Sequence, residues 1–200
     1  AGTESATGGV LQESVSWTFS TPAPRVLRSV PNHGPQSRDP LMFVQFDQQV
    51  EPEAVLSTIA VTAGGSTYSV RLATEEEIAA DKNIARLAEN SPEGRWLAFK
   101  SEEIFPADTT IVVNIGPETP SAEGPLVTSE VQSYSFQTYA ALRIENHRCG
   151  YYDDNRDCPP LSPFEILFNN PLDEEAFDES LVSVSPEIPG QIVEVFGRTI

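Results

Sequence analysis

Basic residues are scarce. The 200-residue chain holds 12 Lys+Arg against 30 Asp+Glu, a net charge of −18. With no cationic surplus to neutralise phosphates, the charge argues against a nucleic-acid partner. Anionic membrane surfaces are disfavoured for the same reason. No run of about 18 apolar residues occurs, so no segment reads as a membrane-inserted helix. Residues 1–9 lack a basic stretch leading into an apolar one and do not read as a signal peptide. Export of a mature chain, or of a longer protein of which this is a piece, stays open.

Histidine and cysteine number two each. No Gly-x-Ser-x-Gly sequence occurs, and His33 in PNHG and His147 in ENHRCG both read as turn residues. No catalytic residue and no cofactor are therefore assigned. Gly64-Gly65 leads towards a strand, so it reads as a hairpin turn rather than a phosphate cradle. Cys149 and Cys158 flank an acidic segment, RCGYYDDNRDCPP. A disulfide closing this loop is the expectation and would place the chain outside the cytoplasm. Two reduced thiols are the alternative. Zinc wants four ligands, and only His147 lies near the pair in sequence. Asp153, Asn155 and Asp157 form D-x-N-x-D, the first half of a calcium loop, but Cys158 stands where Gly is needed and Phe164 where a bidentate Glu belongs. They remain a weak calcium candidate, with an acidic disulfide loop as the default.

What is present is patterning. Pro and Gly together make 29 of the 200 residues, and apolar residues 39%. That composition describes a folded chain with many turns, well short of the roughly 25–30% Pro+Gly of low-complexity segments. The strongest signal is a repeat. PLMFVQFDQQVEPEAVLSTI at 40–59 matches SPFEILFNNPLDEEAFDESL at 162–181, and SWTFST at 16–21 matches SYSFQT at 133–138. The offsets, 122 and 117, suit tandem β-sandwiches of about 100 residues. Residues 1–22 then read as the closing strand of a preceding domain, 23–139 as a complete sandwich, and 140–200 as the start of a further one, with IVEVFGRTI at 192–200 reading as an alternating strand.

Within 23–139, alternation of period two marks seven strands: 25–30, 41–46, 59–62, 68–72, 96–99, 110–115 and 132–138. Phe46 and Val50 should point inward around one helical turn at 52–56, with Pro52 tolerated at its start. One longer helix, about 74–90, opens with the capping box Thr74/Glu77. Ile78, Ile84 and Leu87 are its large apolar anchors. It either packs over an open sheet end or stands as a solvated insertion. Trp17 and Trp96, each in an alternating strand, read as core residues. The run Asp173, Glu174, Glu175, Asp178 and Glu179 reads as a solvated face.

Several long stretches resemble one family. QFDQQVEPEAVLSTIAVTAGG, LATEEEIAADKNIARLAENSPEGRWLAFK, IGPETPSAEGPLVTSEVQSYSFQTY and HRCGYYDDNRDCPPLSPFEILFNNPLDEEAFD look like the N-terminal part of large bacterial alpha-2-macroglobulins. The resemblance spans most of 15–200. It implies Ig-like and macroglobulin-like β-sandwiches in a periplasmic or extracellular protein, often lipid-anchored. Such a protein traps host or competitor proteases after cleavage of a bait segment, often with a Cys–Gln thioester. No Cys-x-Glu-Gln sequence and no bait segment occur in these residues, so trap chemistry is not carried over to Cys149 or Cys158. The expected role is a non-enzymatic scaffold within such an inhibitor. A bacterial Ig-like array serving as surface adhesin or spacer is the alternative, and an accessory sandwich of a secreted hydrolase a third reading.

Overall fold

The computed structural model describes residues 1–150, 162–185 and 190–200. Eleven strands are found among them. β1 (Val26–Val30), β2 (Pro35–Gln36) and β3 (Met42–Phe46) precede the single turn α1 (Pro52–Leu56). β4 (Ile59–Ala63), β5 (Ser66–Tyr68) and β6 (Val70–Leu72) lead to the helices α2 (Glu75–Ala80) and α3 (Lys82–Glu89). β7 (Trp96–Ser101), β8 (Thr110–Ile115) and β9 (Gln132–Thr138) complete the first unit, and β10 (Ile144–Cys149) and β11 (Phe164–Phe168) follow.

Residues 25–138 form an all-β sandwich. One sheet has the order β1-β3-β7-β6, the other β2-β9-β8-β4-β5. Neighbours are antiparallel except β2, which runs parallel to β9. This split of strands between two sheets is that of immunoglobulin-like sandwiches. Strand alternation supplies the core: Met42, Val44 and Phe46 from one sheet face Val61, Ile111, Val113, Ile115 and Phe136 from the other. Fully burying each such side chain stabilises the fold by about 1.5–3 kcal/mol. Six of the seven expected strands recur with small shifts of boundary, and Gly64 and Gly65, at φ 57° and 86°, make the tight β4–β5 turn. Both residues sit in the left-handed region that such a two-residue hairpin turn requires.

Four expectations need correction. The stretch 68–72 is not one strand: the chain passes from one sheet to the other at Ser69, so β5 pairs with β4 and β6 with β7. The helix expected over 74–90 is two helices. Asp81 is extended (φ −90°, ψ 99°) and caps the second, its Oδ1 accepting from Asn83 N at 2.9 Å and Ile84 N at 3.0 Å. An Asp side chain competes well for free first-turn amides, which favours a new start over continuation. The pair is no solvated insertion. Ile84 and Leu87 pack with Phe43 and Ala98 on the outer face of the β3–β7 pair, with Ile78 and Trp96 at the margin. That cover explains why β3 is apolar on both faces. Third, residues 16–21 form no strand in this chain, and Trp17 and Phe19 are 79% and 89% exposed. Trp17 is therefore not a core residue here, because an alternating segment buries its face only against neighbouring strands. Trp96 does pack, stacked on Phe43 at 5.5 Å. Fourth, residues 192–200 are not one strand: the chain turns back at Gly197-Arg198, with Phe196 and Thr199 bonded to each other.

The repeat is visible in the hydrogen bonds. β1 pairs with β3 from Val26↔Phe46 through a bulge to Arg28↔Gln45 and Val30↔Phe43. β10 pairs with β11 from Ile144↔Phe168 through a bulge at the same place to Asn146↔Leu167 and Arg148↔Glu165. The offset is 118 along one strand and 122 along the other. The second connection is thus four residues longer, and it contains Cys158. Asp47 accepts from Arg25 N at 2.8 Å and returns its own N–H to Arg25 O at 3.0 Å; Asn169 does the same with Arg143 at 2.8 and 3.1 Å. Phe46 N donates to Arg95 O and Val50 N to Gly94 O, as Phe168 N does to Arg198 O and Leu172 N to Gly197 O. The same duplication occurs at the start of the chain. The bridge Glu4↔Val10, with Gly2 N bonded to Leu11 O and Leu11 N to Thr3 O, copies the bridge Pro120↔Val127, with Glu118 N bonded to Thr128 O and Thr128 N to Thr119 O.

Candidate functional site

The β8–β9 connection, residues 116–131, folds back over the point where the chain enters the sandwich. Gly116 (φ 84°) starts it, seated so closely that a Cβ there would lie 2.7 Å from Thr128 Oγ1. The loop then reaches the β3–α1 turn. Ala122 N donates to Gln49 O at 2.8 Å, and Glu123 accepts from Gln49 N at 2.8 Å and from Arg95 at 3.2 Å. Gln48 lies beneath, buried. Its Nε2 donates to Pro22 O at 2.7 Å and its Oε1 accepts from Ser121 Oγ at 2.7 Å. One amide therefore ties the entering linker to the loop. Gly124 makes room for that linker: a Cβ on it would lie 2.9 Å from Thr21 Cβ.

This clamp occurs twice. Asn170, the counterpart of Gln48, donates from Nδ2 to Ala140 O at 2.8 Å, and Ala140 is the counterpart of Pro22. Each linker carbonyl is thus held by a carboxamide two residues beyond the last Phe of its strand. The clamp was not legible from spacing, because Gln48 and Asn170 look like ordinary surface amides in a turn. The repeated QFDQ/LFNN pairing is the signal that could have found it.

A second polar cluster lies on the helix side. Arg71 bonds Glu77 through two nitrogens at 2.6 and 2.8 Å, and Lys100 bridges Asp39 at 2.7 Å and Glu77 at 3.8 Å. The Arg71 guanidinium first, then the Thr74 N–H, hold the Glu77 carboxyl down at about 2. Glu77 thereby closes the expected capping box and pins α2 to β6 at once. A shallow open depression of about 320 Å³ beside it is lined by Asp39, Arg71, Lys100 and Glu102. The basic groups there face carboxylates, and this arrangement holds a helix to a sheet rather than pairing a nucleophile with a base.

The sequence candidates fall apart from both clusters. His33 is exposed, its Nδ1 beside Asn32 Oδ1 at 2.6 Å. His147 lies within β10 rather than in a turn, and is exposed. Cys149 ends β10 opposite Phe164. Cys158, and with it the expected Cys149–Cys158 disulfide, lies outside the described residues, as do Asp153, Asn155 and Asp157. The acidic run is exposed, and it is put to local use. Asp173 accepts from Glu175 and Ala176 N–H groups, Asp178 from Ser180 N, and Glu174 from Gly197 N. The Ser180 N–H lowers the Asp178 carboxyl from its ordinary range. Among the described residues no cluster of three or more His, Cys, Asp or Glu could hold a metal ion. Among them, too, no helix is long and apolar enough to cross a membrane.

No protein-family model matches the chain. No curated protein matches it either. Among solved structures, the N-terminal part of a bacterial S-layer protein, SbsC, is similar with a TM-score of 0.37 at 11% identity. That likeness covers 62% of this chain and 26% of that one.

Proposed function

We propose that this chain is a non-enzymatic scaffold: a run of Ig-like sandwiches joined end to end, with units meeting near residues 22 and 140. The observation that supports it is the duplicated joint, in which Gln48 holds Pro22 and Asn170 holds Ala140 by the same bond. A linker held by a buried amide transmits orientation from one unit to the next, which a flexible linker does not.

The sequence resemblance supplies the larger setting. The scaffold belongs to a periplasmic or extracellular bacterial alpha-2-macroglobulin-like inhibitor, anchored by lipid in some relatives, whose whole length confines proteases. The surface-spacer reading uses the same joints and differs in the parent. The test takes the full-length parent, incubates it with trypsin, and compares residual activity on a large protein substrate and on a small peptide. Loss of the first with survival of the second is expected. Equal activity on both would remove trapping of that protease and favour the spacer.

A further inference from the structure

The second hairpin repeats the first but not its surroundings. In the first unit Val26 and Met42 pack in the core and Pro24 is buried. Their counterparts Ile144, Phe164 and Leu142 are 57%, 67% and 57% exposed. In the first unit β9 and the loop before it supply that cover. β9 lies across the entry of β1, where Gln132 Oε1 accepts from Val26 N at 2.8 Å and Gln132 Nε2 donates to Pro24 O at 3.3 Å. The loop before β9 sends the Ser121 hydroxyl to Gln48. Asn170, the counterpart of Gln48, keeps the linker bond, yet among the described residues its buried Oδ1 has no donor. An acceptor in that position calls for a hydroxyl from outside.

We infer that the β10–β11 hairpin is a docking surface for a strand pair of the β8–β9 kind, whose connecting loop brings a Ser or Thr hydroxyl to Asn170 Oδ1. The occupant's chemistry follows from the first unit. Its last strand alternates apolar residues towards Ile144 and Phe164, and it opens with a side-chain amide whose oxygen accepts from the Ile144 N–H and whose N–H donates to the Leu142 carbonyl. The start of the chain shows that such a loop keeps its shape away from a sandwich: Ser5 Oγ accepts from Thr7 N as Ser121 Oγ does from Glu123 N. The inference rests on the tandem-unit part of the reading above and is independent of protease trapping.

The chain itself provides the probe. Ile200 exchanges two bonds with Ile166 where Leu97 faces Val44, so Ile200 stands in the place of Leu97. A chain extended after Ile200 by a copy of residues 98–139 should therefore place such a strand pair against the β10–β11 hairpin. Hydrogen exchange is then read at Phe164–Phe168 in the plain and extended chains. Protection there should rise on the order of 100-fold, as open edges become core. Ser121→Ala in the appended copy should take back about 5- to 10-fold of that rise, the worth of one hydrogen bond.

Unchanged exchange at β11, with β3 and β7 still protected in the same sample, would overturn the proposal, since the chain is then folded and the surface does not accept such a segment. Protection in the plain chain that grows with concentration and disappears in Trp17→Ser would overturn it differently. The surface would then belong to the N-terminal segment around Trp17 of a second copy. A negative trapping assay on the parent changes none of these readouts, so the two failures are distinguishable.

Discussion

Replacing Gln48 by alanine should loosen the first joint and weaken the unit behind it. Gln48 is 4% exposed and makes two hydrogen bonds of 2.7 Å, one to the linker and one from the loop. Each is worth about 0.5–1.5 kcal/mol net, so their joint loss costs about 1–3 kcal/mol. For a unit of a little over 100 residues that lowers the melting temperature by about 4–12 °C, at roughly 4 °C per kcal/mol. The loss has a place as well as a size. Backbone order parameters at Thr21, Ala23 and Arg25 should fall from about 0.85 towards 0.6 while those in β8 and β9 stay high. The assay is a thermal melt followed by amide relaxation on the 200-residue chain. A melt within about 2 °C of the parent, with the order parameters of residues 21–25 unchanged, would refute the claim that this amide sets the joint.

Gly116→Ala should cost about 2–4 kcal/mol in a urea melt, since it strains a φ of 84° and drives a Cβ to 2.7 Å from Thr128 Oγ1. Glu77 has an ordinary value of 4.5, lowered in the fold to about 2. Its contribution is therefore fully present above about pH 4.5 and is lost as the pH falls towards 2. Exchange protection of α2 should decline across that window, and Glu77→Gln, lower from the start, should show no such decline. Tyr134 buries a hydroxyl with no partner among the described residues, and that burial pushes its ionisation far up. Tyr134→Phe should cost nothing and gain about 1 kcal/mol; a loss of that size would reveal a bond to the hydroxyl. Without reductant the chain should present no thiol to iodoacetamide, and one or two modified cysteines would sink the proposed Cys149–Cys158 disulfide.

Much of the first unit was legible in the sequence. Strands β1, β3, β4, β7, β8 and β9 announce themselves by alternation, because a sandwich buries one face of each strand and period two follows from the pleat. The capping box at Thr74 was equally local: donors and acceptors three residues apart decide it. What failed was decided at a distance. Tyr68–Leu72 reads as one strand because every residue in it suits a strand; only the positions of β4 and β7 assign its two halves to different sheets. Phe105 lies between β7 and β8, outside any strand. It is fully buried, in edge contact with Tyr68 and Phe136, and held by reciprocal bonds with Arg38, 67 residues away.

The sequence by itself determined the class of fold, the spacing of the repeat and the acidic balance of the chain. Those depend on composition and on contacts within a few residues. The tertiary structure decided which alternating segments become strands and which polar groups matter. Trp17 and Trp96 share the same local pattern, yet Trp17 lies exposed while Trp96 stacks on Phe43. Gln48 gains its role from a proline 26 residues before it and a serine 73 residues after it. Burial and pairing are properties of neighbours brought together by folding, so a residue's own sequence window does not contain them.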